Sequence, residues 1–198
     1  MTLTELINEV NILTNRFNLT DQTQSAVRAA TLKVHQIDYF DRDLVENPID
    51  FGSSEYLHSF QYKALFPRWR AIKYLRYLDI TTTPPTPGDF FEVIAPEQAL
   101  DGYAVTRNDV LYLAGQTLQI RALAAFQYGL MGCYLHPDIT VNNYSSWVAD
   151  EHPYAIVFEA ARTVCKLIGL DQQYTRMENQ AAEQIQLLKV TAVQTRGY

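Results

Sequence analysis

The stretch Tyr103-Ala-Val-Thr-Arg107-Asn108-Asp109-Val110-Leu-Tyr-Leu-Ala114-Gly115-Gln116-Thr117-Leu-Gln-Ile-Arg-Ala122 decides the fold. Three apolar-rich runs, 103–107, 110–114 and 117–122, are joined by two-residue links. Asn108-Asp109 tolerates positive φ and Gly115-Gln116 suits a type II′ turn, so both links carry hairpin chemistry. In the last run Leu118, Ile120 and Ala122 fall on one face, with Thr117, Gln119 and Arg121 on the other. That is the period-two pattern of a half-buried strand. Phe126 to Leu135 supplies a fourth run, and the reading is an antiparallel β-meander.

Working outward toward the N-terminus, Thr81-Thr-Thr-Pro84-Pro85-Thr-Pro87-Gly88 cannot be helical and predicts a protruding, extended loop over 81–88. Phe91–Ile94 reads as a short strand, and Pro96 opens a short helix that runs to about Leu100. Before the loop, Tyr56, His58, Phe60 and Tyr62 alternate as a strand does, and 68–78 alternates in places, with helix not excluded. Asp38–Ser54 is acidic and holds Pro48 and Gly52, which predicts a solvated loop. Residues 2–17 and 21–37 carry helical stripes: Leu3, Leu6, Val10, Leu13 and Phe17, then Val27, Ala30, Val34 and Ile37. Thr2 and Glu5 have the spacing of a capping box.

Toward the C-terminus two more helices are expected. The first is capped by Asp150, has Pro153 early, and buries Val157, Ala160, Ala161, Val164, Leu167 and Ile168 before Gly169 ends it. The second starts at Asp171 and repeats Tyr174, Met177, Ala181, Ile185, Leu188 and Ala192 at steps of three and four. The fold class is therefore α+β, with two helices at each terminus and a central antiparallel β-meander. One domain is expected over 1–188, helical in 1–38 and 150–193 and strand-rich in 55–135, followed by an extension over 189–198.

Composition narrows the function. The 198 residues have a net charge of −6, which argues against a protein that grips duplex phosphates but permits a surface past which DNA slides. Thirteen Tyr and nine Phe suit a large core and also contact surfaces. Cys133 and Cys165 have no metal or redox spacing and read as reduced core thiols. No signal peptide and no membrane span is predicted, so the expectation is a soluble chain made in a reducing cytoplasm.

The motifs of nucleotide binding, zinc hydrolysis and serine hydrolysis are missing. His35, His58, His136 and His152 stand isolated, and loop positions around proline account for them. Asp41, Asp43, Glu46 and Asp50 lack the Gly and the distal Glu of a calcium loop. Glu159 and Arg162 are spaced for a surface ion pair worth tenths of a kcal/mol. No catalytic, cofactor or metal residue is assigned, and a non-enzymatic role is expected.

The order of elements carries a resemblance. Two N-terminal helices precede a Pro-bounded strand region and the Tyr103-Ala-Val-Thr-Arg107…Leu118-Gln-Ile-Arg-Ala122 meander. There follow a strand ending Gly129-Leu-Met-Gly-Cys-Tyr134, then Ser145-Ser-Trp-Val148, then a paired helical end. Over nearly the whole chain this resembles the head-to-tail adaptor (connector or neck) proteins of tailed bacteriophages, and in plan the tail-accessory and tail-tubular ring proteins of short-tailed phages. The resemblance implies a virion protein that forms a homo-oligomeric ring, usually of twelve subunits. The ring sits beneath the portal at the capsid vertex, joins head to tail and continues the DNA channel without sequence-specific binding. Its partners are then copies of itself, the portal protein and a tail, nozzle or stopper protein. By position, Lys189, Gln194, Arg196 and Tyr198 would face the portal. Pro84, Pro85, Pro87, Asn108, Asp109, Gly115 and Gln116 would face the tail. Arg68, Trp69, Arg70, Tyr74, Arg76 and Tyr77, a mixture typical of interface anchors, are candidates for the subunit interface. Rival readings are another neck or tail-completion ring protein and an α+β ligand-binding domain. A third, a hydrolase, would use His136, Asp138 or His152.

Overall fold

A computed structural model describes residues 1–99, 107–140 and 142–195. The described residues form an α+β fold with six α-helices and a six-stranded, mostly antiparallel sheet. Helices occupy both ends of the chain and the sheet its middle. The chain divides into two compact units, a helical one of 1–43 with 136–198 and a β unit of 44–135.

In the helical unit, α1 (Leu3–Thr14) begins with the expected capping box: the Thr2 hydroxyl accepts the Glu5 N–H, and the Glu5 carboxylate accepts the Thr2 N–H. It ends three residues before the stripe suggested, because Asn15 turns left-handed (φ 50°). Phe17 therefore leaves the stripe and is exposed. Helix α2 (Thr20–Gln36) packs on α5 (Pro153–Leu167), which in turn packs on α6 (Asp171–Thr195). Gly169, at φ 72°, makes the left-handed stop between α5 and α6. The core is aliphatic, centred on Leu6, Val10, Val27, Val34, Ile156, Val157, Val164 and Leu188, with Phe40 at one side. Each such fully buried side chain contributes about 1.5–3 kcal/mol. The expected Asp150 cap is not what starts the third helical segment. Ser146 caps a short α4 (Trp147–Glu151), His152 breaks it, and Pro153 opens α5 where no N–H is needed.

The β unit is built on one long strand, β6 (Thr117–Leu135), which merges the third and fourth runs of the meander. The Leu123-Ala-Ala125 interruption of alternation is a register shift within the strand and not a break. Strand β1 (Leu44–Gln61) pairs along nearly all of β6. The other side of β6 is taken by β5 (Val110–Ala114) over 117–121 and by β2 (Trp69–Asp79) over 129–135. Strands β3 (Thr86–Phe90) and β4 (Glu92–Val93) complete the order β3-β2-β6-β5-β4. A single turn of helix, α3 (Tyr62–Leu65), links β1 to β2.

Three expectations are corrected here. The region 44–54 is strand, not loop: exposed Glu46, Pro48 and Asp50 hide the pattern, and Pro48 is tolerated because β1 pairs only with β6 among the described residues. Residues 86–88, expected within the loop, begin strand β3. Arg107 lies outside any strand; the rest of the proposed first run, 103–106, lies outside the described residues. The Gly115-Gln116 hairpin stands as read, with Ala114 facing Thr117.

Candidate functional site

The strongest cluster of chemistry-bearing groups lies in the helical unit. His35, from the last turn of α2, reaches Asp43 through Nδ1 at 2.9 Å and Ser146 Oγ through Nε2 at 2.9 Å. Trp147 donates its indole N–H to the same Asp43 oxygen at 2.8 Å. The Asp43 carboxylate accepts the Nδ1 proton, and Nε2 shares a hydrogen bond with the Ser146 hydroxyl. Ser146 Oγ in turn accepts the Ala149 N–H and so caps α4. The Trp147 ring meets Phe40 and His35 edge-on at 5.2 and 5.6 Å, and the Arg42 guanidinium lies 5.4 Å over it. Arg42 also pairs with Glu151.

The order carboxylate, imidazole, hydroxyl is the one that activates a serine nucleophile. Here His35 is 1% exposed and Asp43 and Ser146 are 6% exposed. The hydroxyl oxygen is already committed to a helix N–H. What this cluster does in the structure is tie the end of α2, the residue preceding β1 and the start of α4 into one buried knot. An open cleft lined by Thr2, Glu5, Tyr144, Ser145, Ser146 and Asp150 borders it.

The isolation expected of the histidines is thus corrected for His35. His58 is also buried, held to the Phe126 carbonyl at 2.7 Å and stacked on Phe51. Asp43 is no part of a solvated acidic loop. No spacing rule could have found this knot, since 111 positions separate His35 from Ser146. Trp147 next to a capping serine was the only local signal.

A second network ties three helices. Glu159 is buried, not on the surface as its spacing suggested, and accepts from Lys33 of α2 and Arg162 of α5, both at 2.6 Å. Arg162 reaches on to Glu178 of α6 at 3.1 Å, and the Tyr174 hydroxyl donates to Glu178. The ends of the chain therefore share one charged brace.

The interface candidates on β2 are mostly spent within their own unit. Trp69 is buried against Tyr62, at 4.7 Å between centroids, and cannot serve as an exposed anchor. Arg76 lies 4.3 Å over Phe90 and donates to the Gly88 carbonyl, and Tyr74 meets Phe90 edge-on. Tyr77 packs on Phe91 and Phe126 and donates to Asp109; burial and that carboxylate push its phenol pKa upward. Arg68 is exposed and Arg70 half-buried. Pro84, Pro85, Pro87, Asn108, Gly115 and Gln116 are exposed, whereas Asp109 is half-buried and also accepts the Leu123 N–H. Lys189 is half-buried on α6, which includes Gln194; Arg196 and Tyr198 lie outside the described residues. Burial pushes the Cys133 thiol up to about 11 and raises that of Cys165. No helix among the described residues is long and apolar enough to cross a membrane, and no three His, Cys, Asp or Glu side chains there gather as a metal site would require. No protein-family profile matches the chain, and no curated protein is similar to it in sequence.

Proposed function

We propose that this chain is a structural virion protein, a head-to-tail adaptor whose copies close into a ring between portal and tail. The observation that carries the reading is the distribution of exposed apolar side chains. Ile12, Phe17, Leu167, Leu187 and Val190 stand out from the helical unit, each more than half exposed, and so do Tyr56, Leu57 and Leu123 on the sheet. Large apolar groups presented outward supply anchors for contact with other proteins. Its net charge of −6 suits a channel wall that does not retain DNA. The test is electron microscopy of the purified chain alone and bound to portal rings. Rings coaxial with the portal are expected, and a chain that stays monomeric and never joins a portal overturns the reading.

The Asp43–His35–Ser146 contacts favour one second reading, an acyl hydrolase. That reading predicts covalent labelling of Ser146 by a fluorophosphonate in the folded protein. The adaptor reading predicts none.

A further inference from the structure

Strand β1 pairs only with β6 among the described residues, so its other edge turns backbone N–H and C=O groups outward along the strand. Alternate residues of an antiparallel strand bond to opposite sides, which leaves about three of every six with both groups unspent. An edge of this kind is a template for a further strand, and proteins blunt it with proline, charge or brevity. The first part of β1 is blunted in this way, since Glu46, Pro48 and Asp50 are all exposed. The last part, Tyr56-Leu-His-Ser-Phe-Gln61, holds no proline, no glycine and no Lys, Arg, Asp or Glu.

The other open edges of the sheet lack this character. Strand β3 carries Pro87 and Asp89, β4 has two residues, and the part of β2 beyond β3 carries Arg70 and Lys73. Beyond β4, β5 leaves only Tyr112 to Ala114.

The side chains of this edge specify what it accepts. Leu57, Ser59 and Gln61 are exposed, while His58 is buried and Phe60 half-buried. Tyr56 and Leu57 are 59% and 56% exposed. On the β6 side the inward row is matched by buried aliphatic residues, Ile120 opposite His58 and Leu118 opposite Phe60. On the open side no strand among the described residues continues that row.

We infer that Tyr56–Gln61 is a docking edge that takes an extended segment of another protein as an added strand, with aliphatic side chains at alternate positions. Backbone hydrogen bonds hold such a segment, and the row beside His58 and Phe60 selects it. A second copy is the poorer fit, because its own unblunted edge brings His58 and Phe60 to that row in place of aliphatic groups. The inference does not depend on the ring reading.

The test uses the full chain, isotope-labelled for hydrogen exchange by magnetic resonance, and a synthetic peptide of the sequence Thr117–Ala122. That segment already matches 57–61 residue for residue in the β1–β6 ladder. In the free chain, alternate amides of 56–61 should exchange about tenfold faster than their neighbours, and the peptide should slow them by about tenfold. Two N-methylated peptides separate strand pairing from unspecific adhesion. Methylation at Leu118 and Ile120, or instead at Gln119 and Arg121, blocks one edge of the peptide only. One of the two should bind as the parent does and the other about tenfold more weakly. Leu57→Lys should weaken binding about tenfold, while Leu187→Lys on α6 leaves it unchanged. A peptide that leaves these amides unprotected, or two methylated forms that bind alike, overturns the inference. Uniform protection of 56–61 in the free chain overturns it as well, by self-pairing where the protection fades on dilution and by a cover within the chain where it does not.

Discussion

Asp43 accepts the imidazole N–H of His35 and the indole N–H of Trp147, so one carboxylate fixes two rings on two distant parts of the chain. Ser146 has the lesser share, since its oxygen caps a helix of five residues and shares one hydrogen bond with Nε2. The two roles separate by magnitude. Asp43→Ala removes two hydrogen bonds to a carboxylate, from the buried His35 and the half-buried Trp147, at about 1.5–3 kcal/mol each, whereas Ser146→Ala removes a cap worth about 0.5–2 kcal/mol and a neutral hydrogen bond to Nε2 worth about 0.5–1.5 kcal/mol. Urea unfolding followed by far-UV circular dichroism should therefore show the larger midpoint shift for Asp43→Ala. A Ser146→Ala variant destabilised as much as Asp43→Ala would contradict this division of labour. The knot was illegible in the sequence because its members are joined only by tertiary contact. Each residue taken alone has an ordinary alternative: a loop acid, an isolated histidine, a serine before a helix.

At the scale of elements, legibility followed local pattern. The Gly115-Gln116 hairpin, the capping box at Thr2 and the stop at Gly169 could be read because each is enforced within a few residues. Strand β1 could not, because its residues 44–50 are held by the ladder with β6 and alternate only weakly. The burial of Glu159 was hidden for a related reason: i, i+3 spacing fixes its neighbour Arg162, but only the docking of α2 and α6 removes it from water. The hairpin gives a direct check of the local kind. Gly115 has φ 64° and nothing within 4 Å of a β-carbon placed there, so a substitution meets backbone strain and no clash. Gly115→Val should cost about 1–2 kcal/mol by thermal unfolding, while Gly115→Asn, whose short polar side chain bears positive φ better, should cost less. Equal losses for the two would mean that something other than φ governs the turn.

At the scale of the whole molecule, the two units hold separate cores, one of helical aliphatics and one of sheet residues around Leu75, Ile120, Met131 and Cys133. Stability should then be partitioned as well, each core protecting its own amides. Gly129 of β6 offers a perturbation confined to the sheet. A β-carbon there would sit 3.0 Å from Leu75 Cδ1, 3.2 Å from the Phe51 ring and 3.3 Å from the Arg76 carbonyl oxygen. Leu75 is fully buried and the carbonyl is backbone, so neither gives way easily, and overpacking of this kind costs about 1–3 kcal/mol. In Gly129→Ala, hydrogen exchange should accelerate for the amides of β1, β2 and β6, while those of α2 and α5 keep their parental protection. Loss of protection of equal size in α2 and α5 would show one cooperative structure. Loss confined to the β unit would show that each core holds its own amides, so that the sheet can loosen while the helices stay closed.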